Sequence, residues 1–432
     1  MQTAKKILVV DDEDSIRQSL SDVLKDEGFK VMLASNGKES LKMLDSNLPD
    51  LVILDIWMPM MDGTEVLKAI KAKYPALKVI MISGHGNIEA AVKAIKLGAY
   101  DYIEKPLSLE GVLLTVKRAL GEKRESEKIR GLEDKKSQPL NLSTSPSSAL
   151  TKDIGSSHHQ RTISKSIVMG GQGLHSGGKT GLILSPLPPN SGIVFTGLSS
   201  EEMVPAHLDY VHSTDYATTL KRGHTSIMTI EHLMAVLHIY RITNILIKID
   251  REVPIMDGSA VDFCQMIEDC GIDEQDEPLD DIVIDKHYLA GDIADGRFIS
   301  IEPSPKFTIQ YTMDYPMPIG RQEASFILDN PEVFKKEVAP ARTYGSIKDY
   351  GRLEEMGLAK GGRLSNVVLV DEEKVINTSL RFKNEFARHK ILDIVGDLYL
   401  LGRPIRGGVT ARMTGHRENI LLLRKIAECK KC

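Results

Sequence analysis

The stretch FARHKILDIVGDLYLLG, Phe386–Gly402, has the composition of a buried helix, yet it carries polar residues at every fourth position. These residues are His389, Asp393 and Asp397, and positions four apart lie one above another on the same helix face. An imidazole and carboxylates removed from water are costly unless a partner satisfies them, and a divalent metal is one such partner. The alternative is an amphipathic helix whose polar face meets solvent. The stretch therefore predicts a helix and leaves both interpretations open.

The composition excludes several classes of protein. The chain has 432 residues, which is enough for two to four domains. Its net charge is −5, and its basic residues are interspersed with acidic ones, so it lacks the basic stripe of a nucleic-acid-binding protein. The first apolar run is too short for a secretion signal, and no stretch reaches the length of a membrane span. Four cysteines are too few for a disulfide framework, and the terminal pair Cys429 and Cys432 is weak evidence for a zinc or redox site. We therefore expect a cytoplasmic protein with neither a nucleic-acid partner nor an integral membrane segment.

Between residues 5 and 120, short β-branched runs alternate with longer amphipathic stretches. The runs KILVV, KVMLAS, LVILD, KVIMIS and DYIEK predict five strands, and stretches such as DSIRQSLSDVLKDEG and NIEAAVKAIKLG predict helices between them. Such alternation is typical of an α/β fold with a doubly wound, five-stranded parallel sheet. In sheets of this kind the ligand site lies at the carboxyl ends of the strands.

Three carboxylates are expected at that end of the sheet. Asp11 and Asp12 follow the first strand directly, and Asp55 follows the third. Carboxylates so close together repel one another unless they share a hard cation, and Mg²⁺ prefers oxygen ligands. Ser83 ends the fourth strand and Lys105 ends the fifth. Each of these two residues taken singly is equally consistent with a helix cap or a surface charge.

The motifs VVDDED, LDIWMPMMDG, ISGHG and YIEKP make residues 4–122 resemble the receiver domain of two-component response regulators. The resemblance implies that Asp55 is the phosphorylated residue. It also implies that Mg²⁺ binds to Asp11, Asp12 and Asp55 and to the backbone carbonyl of Trp57.

The same resemblance implies a switch and a set of partners. Lys105 would neutralise the phosphoryl oxygens, Ser83 would close on them, and the side chain of Tyr102 would follow that closure. The implied partner is a sensor histidine kinase or a phosphotransfer protein. Dimerisation through the receiver is a further option that the sequence leaves open.

The composition changes twice along the rest of the chain. After the receiver (residues 1–122), residues 123–160 are charged and then rich in Ser, Thr and Pro, which predicts a flexible linker. Beyond it, strands with Gly and Pro turns precede a predicted helix, SIMTIEHLMAVLHIY, and a predicted strand, NILIKI. The acidic stretch DEQDEPLDD, ending at Asp281, suggests a second boundary. We therefore expect two similar α+β sandwich subdomains, residues 161–281 and 282–432.

A second histidine offers a partner for the polar helix face described first. The stretch TIEHLMAV places Glu231 beside His232, although the spacing is not that of an H-E-x-x-H zinc site. His238 lies six positions further on and is interpreted as structural. Two histidines and one aspartate would leave a fourth zinc position open for water, which is typical of a catalytic site.

Six motifs in order make residues 160–428 resemble the UDP-3-O-acyl-N-acetylglucosamine deacetylases, the zinc hydrolases of lipid A biosynthesis. The motifs are GLHSG, TIEHL, PIMDGSA, ARTYG, FARHKILDIVGDLYLLG and TGHREN. The family's substrate, UDP-3-O-acyl-N-acetylglucosamine, and its Zn²⁺ cofactor are implied with it. In the same way the resemblance implies a cytoplasmic hydrolase that removes an N-acetyl group.

The resemblance also assigns roles to individual residues. The zinc ligands would be His232, His389 and Asp393. Glu231 would be the general base, while His416 and the hydroxyl of Thr343 would offset the charge of the tetrahedral intermediate. Asp397 would hold His416 oriented and protonated. Lys390 would point off the ligand face and serve substrate phosphates or local charge balance. His175 and Asp257 would line the substrate site.

Three interpretations of the whole chain remain. The leading one is an enzyme fused to a phosphorylatable receiver that regulates it. A second is a retired enzyme that serves as a docking surface, although the complete set of five site residues argues against it. The third, a transcriptional regulator, requires a DNA-binding element, and the sequence offers neither a helix-turn-helix candidate nor a basic stripe.

Overall fold

The structure is a computed structural model that describes residues 4–84, 88–121, 158–198, 200–328, 330–376 and 378–430. These residues belong to two compact units, the first from residues 1–154 and 376–378 and the second from residues 155–375 and 379–432. Most of the predicted linker, residues 123–157, lies outside the described residues, as does Cys432. No helix in the described ranges combines the length and the apolar character that a membrane crossing needs.

The first unit is built on a five-stranded parallel sheet in the order β2-β1-β3-β4-β5. The central strands β1, β3 and β4 are almost entirely buried, as continuous apolar runs covered on both faces should be. The strands are β1 (Lys6–Val10), β2 (Lys30–Ala34), β3 (Leu51–Asp55), β4 (Lys78–Ser83) and β5 (Asp101–Glu104). The predicted doubly wound sheet is therefore confirmed, with strand bounds within one residue of those expected.

Five helices alternate with these strands: α1 (Asp14–Asp26), α2 (Gly37–Ser46), α3 (Gly63–Lys73), α4 (Ile88–Lys96) and α5 (Leu109–Leu120). Side chains that accept hydrogen bonds from free backbone N–H groups fix where three of them begin. Asn36 accepts from Glu39, Asp62 accepts from Thr64, and Ser108 accepts from Gly111. Because Asp62 caps α3 seven residues after Asp55, the connecting loop is held at the carboxyl edge of the sheet.

The first half of the second unit contains a mixed five-stranded sheet in the order β10-β9-β14-β8-β7, in which only β9 and β14 are parallel. Beside it lie a three-stranded sheet, β11-β12-β13, and a ribbon, β6-β15. The strands are β6 (His158–Ile163), β7 (Ile167–Gln172), β8 (Lys179–Pro186), β9 (Ile193–Gly197), β10 (Met203–Pro205), β11 (Val211–Ser213), β12 (Thr219–Arg222), β13 (Thr225–Ile227), β14 (Ile245–Ile249) and β15 (Ile272–Leu279). The helices are α6 (Glu231–Ile239) and α7 (Val261–Cys270).

The second half has its own five-stranded sheet, in the order β17-β18-β24-β19-β20. Its strands and the short ones around it are β16 (Ile282–Val283), β17 (Tyr288–Asp292), β18 (Arg297–Glu302), β19 (Thr308–Asp314), β20 (Arg321–Ile327), β21 (Tyr344–Ser346), β22 (Val368–Val370), β23 (Ile405–Arg406) and β24 (Gly408–Arg412). The helices are α8 (Pro331–Glu337), α9 (Ile347–Glu355), α10 (Glu385–Leu398) and α11 (His416–Lys430). One apolar core includes residues of both five-stranded sheets and of α6 and α10.

Helices α6 and α10 are the pair that positions the site. Every residue of α6 is buried, as expected for a helix that is apolar on all sides. Gly396 of α10 lies against the backbone of α6, and a Cβ atom there would lie 2.0 Å from the carbonyl oxygen of Glu231. The two helices therefore approach closely where α6 begins, and only a glycine fits at that contact.

Three details of the second unit differ from the sequence predictions. The predicted helix SIMTIEHLMAVLHIY begins only at Glu231, because its first residues form β13, whose β-branched side chains pair with β12. The acidic stretch ending at Asp281 is not an unstructured boundary, since Ile272–Leu279 forms β15 and its charged side chains stay exposed. Strand β15 pairs with β6, which begins at His158. The predicted linker, residues 123–160, therefore extends three residues too far.

Candidate metal centre and acidic pocket

Three buried side chains from α6 and α10 converge on one point. His232 comes from α6, while His389 and Asp393 lie one turn apart on α10, and their donor atoms all lie within 4.8 Å of one another. Asp393 Oδ1 lies 3.8 Å from His232 Nε2 and 3.7 Å from His389 Nε2. The two imidazole rings are perpendicular, with centroids 5.0 Å apart. The structure thus brings together the three residues predicted as metal ligands.

The surroundings favour neutral imidazoles in this cluster. Burial lowers the pKa of His232 to about 3 and also lowers the pKa of His389. His389 Nδ1 lies 3.1 Å from the carbonyl oxygen of Ala341, which accepts a hydrogen bond from the Nδ1–H group. This contact leaves the lone pair of His389 on Nε2, the atom that faces the other two side chains.

Lys390 keeps the carboxylate of this cluster ionised. Its Nζ atom donates to Asp393 Oδ2 over 2.9 Å. Burial opposes ionisation of Asp393, but the charges of Lys390 and the nearby imidazoles together outweigh it and hold the pKa of that carboxyl well below its usual range. The prediction that Lys390 points off the ligand face is therefore wrong, because it contacts a predicted ligand directly. Of its two predicted tasks, this contact matches local charge balance.

A second pair of charged side chains lies beside the three donors. Glu231 begins α6, His416 begins α11, and Glu231 Oε1 lies 3.9 Å from His416 Nε2. Burial raises the pKa of Glu231 to about 7. Burial alone would lower the pKa of His416, but the carboxylates of Asp397 and Glu231 outweigh it and raise the pKa to about 10. At neutral pH the site thus holds a carboxyl group near its titration point beside an imidazolium.

Asp397 is the centre of a buried hydrogen-bond network. Its Oδ2 atom accepts from His416 Nδ1 and Asn419 Nδ2, both over 2.8 Å, and its Oδ1 atom accepts from the Thr218 hydroxyl over 2.6 Å. The predicted contact between Asp397 and His416 is present. Sequence reasoning missed Thr218 and Asn419, although Asn419 belongs to the quoted motif TGHREN. Nothing in local spacing marks Thr218, because it is 179 residues from its partner.

An open cavity of about 630 Å³ gives access to this cluster. Its wall includes the three predicted metal ligands together with Glu231, His416 and Thr343. Apolar residues cover another part of the wall, including Leu174, Ile255, Met317, Pro318 and Val370. Charged residues, among them Lys348, Arg297 and Arg417, lie on the same wall. The cavity can therefore receive a molecule with both apolar and anionic parts.

Two predicted substrate-binding residues lie elsewhere. His175 is buried and adjoins the wall residue Leu174, and its backbone N–H donates to the buried carboxylate of Glu252 over 2.8 Å. Asp257 accepts from the Ser259 hydroxyl over 2.6 Å and pairs with Arg381 over 2.7 Å. Among the described residues that form the cavity wall, neither His175 nor Asp257 is included. Their predicted role in substrate binding stays a prediction.

The first unit carries the predicted acidic pocket. Oxygen atoms of Asp11, Asp12 and Asp55 lie within 4.8 Å of one another, and Asp11 and Asp55 are buried. Lys105 Nζ lies 3.0 Å from Asp11 Oδ2 and 3.1 Å from Asp55 Oδ1. Burial, with the charges of Asp11 and Asp12, raises the pKa of Asp55 to about 6 despite Lys105. Such a cluster of carboxylates favours a bound cation.

The predicted switch residues lie beside this pocket. Ser83 ends β4 and Tyr102 lies on β5, where both side chains are buried. Trp57 follows β3 by two residues, and its side chain is 63% exposed. The side chains that end the strands are therefore buried in this pocket, whereas Trp57 in the loop that follows Asp55 is exposed to solvent.

The two folds and the two sites define a class of protein, a receiver joined to a hydrolase whose site has the donors of a metalloenzyme. Residues 160–428 match the family described as UDP-3-O-acyl N-acetylglycosamine deacetylase, and residues 7–117 match the response regulator receiver domain family. The chain belongs to the UDP-3-O-acyl-N-acetylglucosamine deacetylase family, a family of metalloenzymes, and carries a receiver domain ahead of it. Both resemblances predicted from the motifs are confirmed.

Individual relatives agree with the family matches. A UDP-3-O-acyl-N-acetylglucosamine deacetylase of Myxococcus xanthus is 44% identical over 283 residues, 64% of this chain and 89% of that protein. A deacetylase of the same description from Helicobacter hepaticus is 39% identical and is covered over 91% of its length. The crystal structure of the receiver domain of NtrX from Brucella abortus is 46% identical, covering 27% of this chain and 99% of that one, with a TM-score of 0.26.

Proposed function

We propose that the second unit removes the acetyl group from the nitrogen of UDP-3-O-acyl-N-acetylglucosamine, using a zinc ion, and that the receiver regulates it. The observation that carries the proposal is the buried convergence of His232, His389 and Asp393 beside the Glu231–His416 pair. The substrate is the one named for the relatives. A docking surface would have no need of this complete and internally bonded set.

The donor set fits zinc. Two neutral imidazoles and one carboxylate form the combination of nitrogen and oxygen ligands that zinc takes in catalytic sites. Lys390 bonds to Asp393 Oδ2, while Asp393 Oδ1 faces the two uncharged rings. We therefore assign His232, His389 and Asp393 as the residues that would hold the ion. When bound, zinc would lower the pKa of a coordinated water and polarise the acetamide carbonyl.

Glu231 is placed to act as general base. Its pKa of about 7 lets the carboxylate accept a proton near neutral pH and release it again within one cycle. It precedes the proposed ligand His232 in α6, so the base and the ligand are fixed by the same turn of helix. The water that attacks the acetamide carbonyl would give its proton to this carboxylate.

His416 and Thr343 are placed to offset the negative charge that develops on the carbonyl oxygen. The imidazolium of His416 stays charged at neutral pH because Asp397 and Glu231 surround it. The hydroxyl of Thr343 lies on the same cavity wall and adds a neutral donor. Either His416 or Glu231 would then protonate the departing amine, and acetate would leave.

The cavity supports a substrate with an acyl chain and a nucleotide. Its apolar wall suits a hydrocarbon chain, while Arg417 on the same wall carries a charge that suits a diphosphate. Lys390 is paired with Asp393, so we assign it to charge balance at the metal and not to the phosphates.

The receiver would be phosphorylated at Asp55 by a sensor histidine kinase or a phosphotransfer protein. Asp11, Asp12 and Asp55 would hold Mg²⁺, which offsets the repulsion between these carboxylates and the incoming phosphoryl group. Lys105, which already contacts Asp11 and Asp55, would pair with the phosphoryl oxygens. Ser83 and Tyr102 would respond to the added charge. Cytoplasmic location and dimerisation stay predictions.

One experiment tests the enzyme and its regulation together. Deacetylase turnover of the full chain is measured with and without a small phosphodonor, and again after removal of zinc by a chelator. Turnover should vanish with the chelator and return when zinc is added. The phosphodonor should change the turnover of the wild type and leave Asp55→Asn unchanged. Identical turnover in all receiver states would end the idea that the receiver controls catalysis, and turnover that resists the chelator would end the zinc proposal.

A further inference from the structure

Thr218 contacts Glu231 and Asp397, the carboxylate that orients His416. The residue precedes β12 and is fully buried. Its hydroxyl donates to Asp397 Oδ1 over 2.6 Å, and its backbone N–H donates to Glu231 Oε2 over 3.2 Å. Its carbonyl oxygen also accepts from the N–H of Ile230, the residue before α6, over 3.5 Å. One residue thus links the orienting carboxylate on α10 to the base on α6.

The hydroxyl of Thr218 completes the hydrogen bonding of Asp397. The other two donors, His416 Nδ1 and Asn419 Nδ2, both bond to Oδ2. A carboxylate held at one oxygen can still turn about its Cβ–Cγ bond, whereas donors at both oxygens fix its plane. Because His416 bonds to this carboxylate, the plane of Asp397 sets the direction of the imidazole. Thr218 therefore acts on His416 through Asp397.

A buried threonine hydroxyl needs such a partner. Valine has the same shape without the polar group, so a purely apolar contact at this position would not require a hydroxyl. Thr218 is also separate from the substrate, since the wall of the cavity includes Thr214 and Tyr216 but not Thr218 among its described residues. The hydroxyl therefore serves the network and not substrate binding.

We infer that Thr218 is a positioning residue for the deacetylation reaction, which holds the Glu231 carboxylate and the His416 imidazole in register at their separation of 3.9 Å. The inference rests on the proposed function, because it assigns base and acid roles to these two groups. Thr218 does not contact the metal donors, so its loss should alter proton transfer without altering zinc binding or substrate binding.

The test compares Thr218→Val with Thr218→Ser and with Thr219→Val as a matched control. Thr219 is a buried threonine one residue further on and lies outside this network. Thr218→Val should lower kcat about 10- to 100-fold, the usual cost of losing a residue that orients a site. KM and zinc content should stay close to the wild type, while Tm should fall because the buried Asp397 Oδ1 atom loses its donor. Thr218→Ser should restore kcat to within about threefold, and Thr219→Val should keep the wild-type kcat.

Several results would overturn the inference. Wild-type kcat in Thr218→Val is one, and a rise in KM with unchanged kcat is another. A loss in Thr218→Ser as large as in Thr218→Val would show that shape, not the hydroxyl, matters. Should the valine variant fail to fold, Thr218→Cys keeps a weaker donor of similar volume, and its kcat must fall below that of Thr218→Ser.

A readout independent of turnover separates this inference from the proposed function. The proton between His416 Nδ1 and Asp397 can be followed by NMR as a downfield resonance, assigned by its loss in His416→Gln. Thr218→Val should shift that resonance, whereas Thr219→Val should leave it in place. A wild type without deacetylase activity would end the proposed function, while an unshifted resonance in Thr218→Val would end the positioning role.

Discussion

Replacing Asp397 with Asn should move the alkaline limit of activity down by several pH units. Asparagine keeps the size of the side chain, and its oxygen can still accept from the Thr218 hydroxyl, but its NH2 group then replaces the oxygen that accepts from Asn419 Nδ2 and His416 Nδ1. The substitution therefore removes both the negative charge and the acceptor 2.8 Å from His416 Nδ1. Burial lowers the pKa of His416, and Asp397 is the largest of the influences that raise it. Without that charge, the pKa should fall from about 10 toward the ordinary value of about 6.5, with Glu231 and Asp393 still opposing the effect of burial.

The size of the effect follows from these two values. Raising the pKa of His416 from 6.5 to about 10 corresponds to about 5 kcal/mol in favour of the imidazolium. The protonated form persists below the folded-state pKa and is lost as pH rises through it. At pH 8 a residue with a pKa of 6.5 is only about 3% protonated, so kcat should fall by up to about 30-fold.

The assay is a profile of kcat/KM against pH for the wild type and Asp397→Asn. The wild type should keep its activity to about pH 10, whereas the variant should lose it at a pH shifted down toward 6.5. Zinc content should be equal in both, because Asp397 is not among the three donors that converge. An alkaline limit that stays in place in the variant would refute the role assigned to the imidazolium. Loss of zinc in the variant would show instead that Asp397 supports the metal.

Further substitutions separate the metal, the base and the helix contact. His389→Ala should lose zinc and activity together, whereas Glu231→Gln should keep zinc, measured by elemental analysis, and lose turnover. Gly396→Ala should destabilise the protein by about 1–3 kcal/mol in urea denaturation, because the added Cβ atom would meet the backbone of α6. As a control, Gly351→Ala should not destabilise the protein, because a Cβ atom at Gly351 in α9 would face open space. Lys390→Met should destabilise the zinc-free protein by about 1–3 kcal/mol, less than for a fully buried ion pair because the Lys390 side chain is partly exposed. The same substitution should destabilise the zinc-bound protein by a smaller amount, because zinc also balances the charge of Asp393. Equal losses with and without zinc would contradict that reasoning.

The receiver fold could be predicted from the sequence because its signals are local. Each strand is a short apolar run, and each connecting helix has its own amphipathic pattern and, at Asn36, Asp62 and Ser108, its own cap. The pocket followed, since residues at the carboxyl ends of parallel strands meet at one edge. Features that depend on packing across the sheet, such as the burial that raises the pKa of Asp55, could be known only from the structure.

The second site was predicted in part, for the same physical reason. Spacing by four places His389, Asp393 and Asp397 on one face of α10, but spacing alone does not separate metal donors from a residue that orients an imidazole. The direction of Lys390 was predicted wrongly because its reach to Asp393 depends on side-chain conformation. Thr218 escaped notice because its role depends on a contact between distant parts of the chain.

The arrangement of α6 and α10 explains why the metal donors and the proton-transfer groups cannot move independently. Each helix supplies both kinds of residue, since Glu231 and His232 are neighbours on α6, while Asp393 and Asp397 lie one turn apart on α10. Gly396 sets how closely the two helices approach. A shift of one helix along the other would therefore displace a metal donor and a proton-transfer group together. Close packing without a side chain at that contact is then a requirement of the chemistry as well as of stability.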